Sequence, residues 1–372
     1  MKKRVVVSVI NDLVTDQRVN KVCNTLYETG FEVLLIGRRL PGSLPMDKRK
    51  YNTRRMHLIF KKGILFYAEF QIRLFIFLLT HKSGLLVSND LDTLLPNYLI
   101  SRIKRIPLVY DSHEYFTGVP ELVNSPVKQK IWKTVERFIF PKLKDVFTVN
   151  DSIASLYEKE YGIRPKVVRN VPPLRRVKKQ MSRKELNLPL DKKILILQGS
   201  GINIHRGAEE MVEAMQYIDN AILLIVGGGD VIDILKEKIK NKRLQNRVII
   251  KGKQPYERLM QYTANADLGL SLDKNTNINY RYSLPNKIFD YLQAGIPVLV
   301  SNLVEIRKIV ERYDVGDFIP GHNPRDIAAK VNEILGNQTL MERWRKNCTF
   351  AARQLNWENE SKILMEVYNK YV

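Results

Sequence analysis

The strongest constraint on this chain is a pattern that runs through it twice. Short apolar, β-branched runs alternate with amphipathic stretches, and the series restarts near residue 194. In the first half the strand-like runs are Val5–Ile10, Val33–Ile36, Leu85–Ser88, Leu108–Tyr110 and Val146–Val149, with Val19–Tyr27 as the first amphipathic stretch. The second half offers Ile194–Gln198, Ala221–Val226, Val248–Lys251, Asp267–Leu272 and Pro297–Val300. Strands alternating with helices build parallel sheets covered on both faces, so the pattern predicts two doubly wound α/β domains. A length of 372 residues exceeds what one core usually supports, and 44% apolar content is ample for two. The expected division is a first domain over 1–171, a basic, proline-bearing linker over 172–193, a second domain over 194–355 and a last helix over 356–372.

Ligands on such sheets bind beyond the carboxyl ends of the strands, so the polar loops there carry the candidates. In the first half these are Asn11–Arg18, Asn89–Asp92 and Asp111-Ser112-His113-Glu114. Asp16 and Arg18 are candidate acceptor contacts, although capping of the following helix explains Asp16 equally well. Asp90-Leu91-Asp92 holds too few carboxylates to specify a cation, and no metal or other cofactor is assigned. In the second half the glycine-bearing loop 199–207 follows a strand. Its backbone amides at Gly199 and Gly201 can approach a diphosphate, and Arg206 can bind phosphate bidentately.

The most informative stretch is 283–300, a loop, a short helix, a glycine stop and a buried strand. Pro285 suits a first helical turn, Ile288, Phe289, Tyr291 and Leu292 follow at helical spacing, Gly295 ends the helix and Pro297 prevents its resumption. The amides at the helix start, near Ser283 and Leu284, together with the dipole and Lys287, suit a phosphate. Asp290, one turn on, can accept two hydroxyl hydrogen bonds from a ribose; an ordinary surface helix with solvated Lys and Asp is the plain alternative.

This stretch resembles the donor-site signature of glycosyltransferase family four, retaining enzymes with two facing Rossmann-like domains of the GT-B type. Asp290 stands at the family's acidic position, five residues before Gly295-Ile296-Pro297, where the ribose is held. Tyr282 occupies the place of the family's sugar-contacting Glu. The family's Arg and Lys on the diphosphate fall on Gly201 and Arg206, so one cation is absent there, with Arg281 or Lys287 as its replacement. The Asp111–Glu114 loop is similar to the family's Asp-x-His-Glu, which by resemblance turns His113 toward the donor sugar; Asp111 and Glu114 are candidate acceptor contacts from the same loop. The resemblance also implies a last helix that crosses back to the first domain. It yields His113, Arg206 and Lys287 as catalytic residues, and Gly199, Gly201, Arg206, Tyr282, Ser283, Leu284, Lys287 and Asp290 as the donor site.

Charge bears on partners. Residues 1–190 hold 35 Lys/Arg against 17 Asp/Glu, a net +18, while residues 191–372 hold 26 against 22, a net +4. Such an excess calls for a polyanion, and dispersed cations without stacking aromatics speak against nucleic acid and for an anionic membrane surface. Residues 61–82 form an apolar, aromatic helix candidate flanked by lysines, with Glu69, Arg73 and Thr80 as a narrow polar stripe. Glu69, Gln71 and Arg73 argue against a membrane-spanning helix; an interfacial helix and a helix packed on the sheet stand equally. Cys23 and Cys348, far apart in sequence, suit a reducing cytoplasm, and the apolar run after Lys2-Lys3-Arg4 is too short for a signal peptide. The expected function is therefore transfer of a sugar from a nucleoside-diphosphate sugar to a saccharide or lipid-linked saccharide in cell-surface polysaccharide synthesis. The expected place is the cytoplasm or the inner membrane face. A nucleotide-sugar epimerase of this fold, or an inactive glycosyltransferase-like binding partner, are the alternatives.

Overall fold

The computed structural model describes residues 3–14, 16–40, 42–43, 45–174 and 180–372. Arg175, Arg176, Lys178 and Lys179 of the expected basic linker lie outside the described residues. The chain divides into two compact units, one formed by residues up to Asn170 together with Glu358–Val372, the other by Val171–Trp357.

The first unit is built on a parallel sheet of β1 (Arg4–Asp12), β2 (Glu32–Arg38), β3 (Asn52–Met56), β4 (Leu85–Asn89), β5 (Leu108–Ser112), β6 (Asp145–Thr148) and β7 (Lys166–Val167), in the order 3-2-1-4-5-6-7. The central strands β1, β4 and β5 are almost wholly buried, as continuous Val and Leu runs require. The edge strands β3 and β7 escape a reading based on apolar runs, because Asn-Thr-Arg-Arg-Met and Lys-Val carry no such pattern. Helix Gly63–Thr80 places Phe66, Phe70, Leu74 and Leu78, four residues apart, in one core with Val6, Ile10, Ile36 and Leu86 of the sheet. By length and composition this helix is able to cross a membrane, and only 22% of it is buried.

The C-terminal segment closes the same unit. Glu360 accepts from the Arg169 backbone N–H at 2.7 Å and from its guanidinium at 2.9 Å, and Tyr368 is buried with its ring centroid 6.0 Å from that of Phe147. Lys370 and Tyr371 both reach Asp145.

The second unit carries β8 (Lys193–Gly199), β9 (Ala221–Gly227), β10 (Val248–Ile250), β11 (Leu268–Ser271), β12 (Val298–Val300) and β13 (Gly316–Phe318), parallel in the order 10-9-8-11-12-13. The period of two along its strands assigns Leu195, Leu197, Leu223 and Ile225 to one core and Ile194, Ile196, Ile222 and Leu224 to the other, so both faces are covered. The described residues before β8 pack into this unit: Leu186 and Leu188 are buried, and Arg183 bonds the Asn265 carbonyl and Asp267. Both sheets reverse direction beside their first strand, between β1 and β4 and between β8 and β11. Such switch points open a crevice at the strand ends.

Candidate functional site

In the second unit the loop after β8 and the loop after β11 meet at the switch point. Gly227, at the end of β9, has φ +142°, and a Cβ there would lie 1.8 Å from the Gly199 carbonyl oxygen; only glycine lets these two turns touch. The contact is fastened by the Gly228 N–H donating to Gly199 at 3.2 Å and the Ile202 N–H donating to Gly228 at 2.9 Å. The loop that leaves this contact carries Arg206. Its guanidinium donates to Asp273 Oδ1 at 2.9 Å and lies 4.6 Å from the centre of the Tyr280 ring. Lys287 approaches Asp273 Oδ2 at 3.7 Å, and the Ser271 hydroxyl donates to the same oxygen at 3.1 Å.

Asp273 is fully buried, so its charge survives only through these partners. Burial pushes its carboxyl up, but Lys287 and Arg206 outweigh that and hold it below the usual value. Burial drives the Lys287 ammonium the other way, and Asp273 restores only part of the loss. Two cations thus share one buried carboxylate, and Arg206 Nε there and Ser283 Oγ, four residues before Lys287, are buried with no hydrogen-bond partner among the described residues. An incoming dianion would satisfy an excess of positive charge here.

Helix Asn286–Gln293 begins one residue later than its sequence suggests, with Pro285 at the cap position and no side chain closing the first turn. Its buried face puts Tyr291 between strands, where the hydroxyl donates to Ile196 at 3.2 Å and Leu270 at 3.1 Å. Asp290 is also buried. Tyr256 donates to one of its oxygens at 2.7 Å, Gln198 donates to the other at 3.2 Å, and Gln198 is fixed in turn by Thr263. The carboxylate is therefore held in one orientation rather than solvated. Gly199 ends β8, Gly201 is exposed, and Ser283 and Leu284 are half-buried before the helix. Tyr282 is half-buried, its ring centre 5.7 Å from the Arg281 guanidinium.

The first unit gathers a second polar cluster at its own switch point. Arg18 forms a bidentate pair with Asp111, at 3.1 and 2.7 Å, and donates to the Val168 carbonyl at 2.7 Å. His113 contacts Asp90 through Nδ1 at 3.2 Å, and its Nε2 lies 3.2 Å from Asn89 Oδ1 and 3.5 Å from Asp111. The Asn89 amide is oriented by its own bond to the Ser8 carbonyl, so an oxygen faces the ring and both ring nitrogens donate. Burial opposes the imidazolium, but Asp90 and Asp111 outweigh it and raise the His113 pKa to about 9. Burial raises the Asp90 carboxyl above the usual carboxylate value, with His113 opposing the shift, whereas Arg18 and His113 hold the Asp111 carboxyl below it. His113 there is a proton donor and a charge, not a base.

The structure thus brings Arg18, Asp111 and His113 together, although Arg18 is turned inward rather than toward solvent. Asp16 caps the first helix, accepting from the Val19 N–H at 3.0 Å. Glu114 is exposed, and its carbonyl accepts from Ser112 and Tyr157. Sequence reading missed Asp273, Tyr256 and Gln198. Asp273 had a signal, since it is the acid two residues beyond β11, at a strand end where ligands gather; Tyr256 had none, because only the fold carries it across 34 residues to Asp290.

Comparison with known proteins follows these two halves. A model described as Glycosyltransferase Family 4 matches residues 17–174, and one described as Glycosyl transferases group 1 matches residues 178–349. An uncharacterized glycosyltransferase of Methanocaldococcus jannaschii is 24% identical over 194 residues, covering 50% of this chain and 47% of that protein. The chain spans about half the length of the curated relatives it matches. Among solved structures, the sucrose-phosphate synthase of Thermosynechococcus elongatus superposes with a TM-score of 0.80 at 17% identity, over 99% of both chains. HepE of Anabaena in complex with UDP-glucose gives a TM-score of 0.75 at 15% identity, over 98% of this chain and 99% of that one.

Proposed function

The chain belongs to the family-four-type glycosyltransferases of GT-B architecture, and from that premise we propose that it moves a hexosyl group from a nucleoside-diphosphate sugar to a saccharide or lipid-linked saccharide hydroxyl. The observation that carries this reading is the pair of cations, Arg206 and Lys287, converging on buried Asp273 beside the open first turn of helix Asn286–Gln293. Departure of a diphosphate from an anomeric carbon develops negative charge on phosphate oxygens, and donors already in place stabilise it without reorganising. Arg206, Lys287, the Ser283 hydroxyl and the amides near Gly199 and Leu284 are assigned that role. Asp290, held by Tyr256 and Gln198, is assigned the ribose hydroxyls. Tyr282 is assigned to the sugar's side of the donor site, and His113, on the family's pattern, to the donor sugar. Exposed Glu114 is assigned to the acceptor side, Arg18 and Asp111, buried against each other, to positioning the His113 loop beside it, and Asp16 to capping the first helix. UDP is the first nucleotide to try, since HepE of Anabaena has been solved in complex with it. Retention at the anomeric carbon, by front-face attack of the acceptor hydroxyl with the leaving phosphate as its base, and a place in cell-surface polysaccharide synthesis complete the proposal.

Calorimetric titration with UDP, GDP and ADP tests it, repeated on Asp290→Ala. One nucleotide is expected to bind selectively, and the substitution to weaken it by roughly tenfold or more, the worth of two lost hydroxyl hydrogen bonds to a charged group. Failure of all three nucleotides to bind the wild type would overturn the donor-site assignment. Where binding is found, Arg206→Ala separates catalysis from affinity: a large loss of turnover with a small loss of affinity is expected.

A further inference from the structure

Helix Gly63–Thr80 is apolar on two opposite sides. Phe66, Phe70, Leu74 and Leu78 are buried on the first sheet, whereas Leu65, Ile72, Ile76 and Leu79 are 43–59% exposed. A solvent-facing stripe of large aliphatic side chains is expensive unless something covers it. The preceding loop adds Ile59 and Phe60, which are pinned because both backbone N–H groups donate to the Glu69 carboxylate, at 2.9 to 3.0 Å. Two further helices of the same unit, Leu91–Lys104 and Pro126–Ile139, join the layer. Tyr67 meets Trp132 edge-on at 5.4 Å and Tyr98 meets Phe138 at 6.2 Å, and exposed Ile103, Ile131 and Phe138 extend the apolar surface.

The charges on these helices select the occupant. Each helix has a single acid, and none of them is offered to solvent. Glu69 is consumed by the loop amides and by Arg73 at 2.7 Å, while Asp92 and Glu136 are buried, Glu136 accepting from Tyr161 at 2.8 Å. The cations do face solvent: Lys61 and Lys62 before the first helix, Arg102 on the second, and Lys128, Lys130 and Arg137 on the third. We propose that this three-helix face docks the first unit on an anionic phospholipid bilayer, with helix Gly63–Thr80 lying along the interface. Aliphatic side chains enter the headgroup boundary and the lysines meet lipid phosphates. The helix does not cross the bilayer, because its Phe66–Leu78 side is committed to the sheet. A second copy of the chain fits worse, since two such faces would bring the cations of three helices together with exposed Glu121, near Tyr67, as a single acid against Lys61, Lys62, Arg102, Lys128, Lys130 and Arg137. The inference holds whatever sugar or acceptor the enzyme uses.

Flotation of the full chain with vesicles tests it. Vesicles of a one-to-one mixture of phosphatidylglycerol and phosphatidylcholine should capture the protein, phosphatidylcholine alone should capture far less, and high salt should release it. Ile72→Glu with Ile76→Glu should weaken capture by at least about tenfold. Both positions are exposed, so the melting temperature and nucleotide binding should hold; Leu65→Gln with Ile76→Gln repeats the test more gently. Lys128→Glu with Lys130→Glu should weaken capture by the mixed vesicles only. No capture by either vesicle, or capture indifferent to the aliphatic substitutions, overturns the proposal. Equal capture by neutral vesicles overturns its electrostatic half. A dimer in light scattering that the aliphatic substitutions dissolve reassigns the face to a second copy.

Discussion

Two buried charge clusters show how single residues set the chemistry. Asp273 keeps Arg206 and Lys287 near one another, which their mutual repulsion alone would forbid, and so holds a phosphate-binding geometry in readiness. His113 does the complementary work in the first unit, neutralising Asp90 and Asp111 alongside Arg18. Its pKa is raised from 6.5 in the unfolded chain to about 9, so its contribution to stability is fully present below pH 6.5 and is lost as pH rises to about 9. That contribution is on the order of 1–3 kcal/mol, allowing for the coupling within the cluster. His113→Gln should therefore destabilise the protein at pH 6 and hardly at all above pH 9.5. Urea unfolding of both proteins across that range measures the difference; a constant gap would mean that the imidazole is neutral in the fold.

At the scale of elements, the donor site depends on two glycine turns packed backbone against backbone. Gly227→Ala places a methyl group on the Gly199 carbonyl oxygen in a backbone region that side chains avoid, and no rotamer relieves it. We expect a loss of at least about 3 kcal/mol in urea unfolding, with nucleotide binding lost in parallel as the 199–207 loop is displaced. Gly252→Ala is the control: its φ is also positive, at +47°, but nothing lies within 4 Å of the new methyl, so about 1 kcal/mol and intact binding are expected. Helix Asn286–Gln293 is held from below by the Tyr291 hydroxyl on two strand carbonyls, which fixes the height at which Lys287 and Asp290 stand.

At the scale of the molecule, the last residues of the chain belong to the unit in which the chain began. Leu364, Val367 and Tyr368 are buried there, and Glu360 satisfies both the backbone and the side chain of Arg169. Removal of residues 358–372 should therefore open the first unit and spare the second. Hydrogen exchange reads this directly: amides of β5 and β6 should lose protection on truncation, while those of β8, β9 and β11 keep theirs. Equal loss in both sheets would show that the two cores unfold as one.

The sequence by itself determined the two parallel sheets, because Val, Ile and Leu runs of strand length, buried on both faces, have no other stable arrangement. It also marked the helix bearing Lys287 and Asp290 and the glycine loop bearing Arg206, since proline, glycine and apolar periodicity act within a few residues. The polar edge strands β3 and β7 left no such local trace. The partners of the site residues were decided only by the tertiary structure. Asp273 lies 67 residues from Arg206, and Tyr256 reaches Asp290 from another helix. The two readings of residues 61–82 likewise needed the fold, because an all-round apolar helix does not say which side the sheet will take. Local pattern specifies where an element forms, while burial and pairing across the sheet specify what each side chain meets, and a free energy of pairing exists only once distant segments are adjacent.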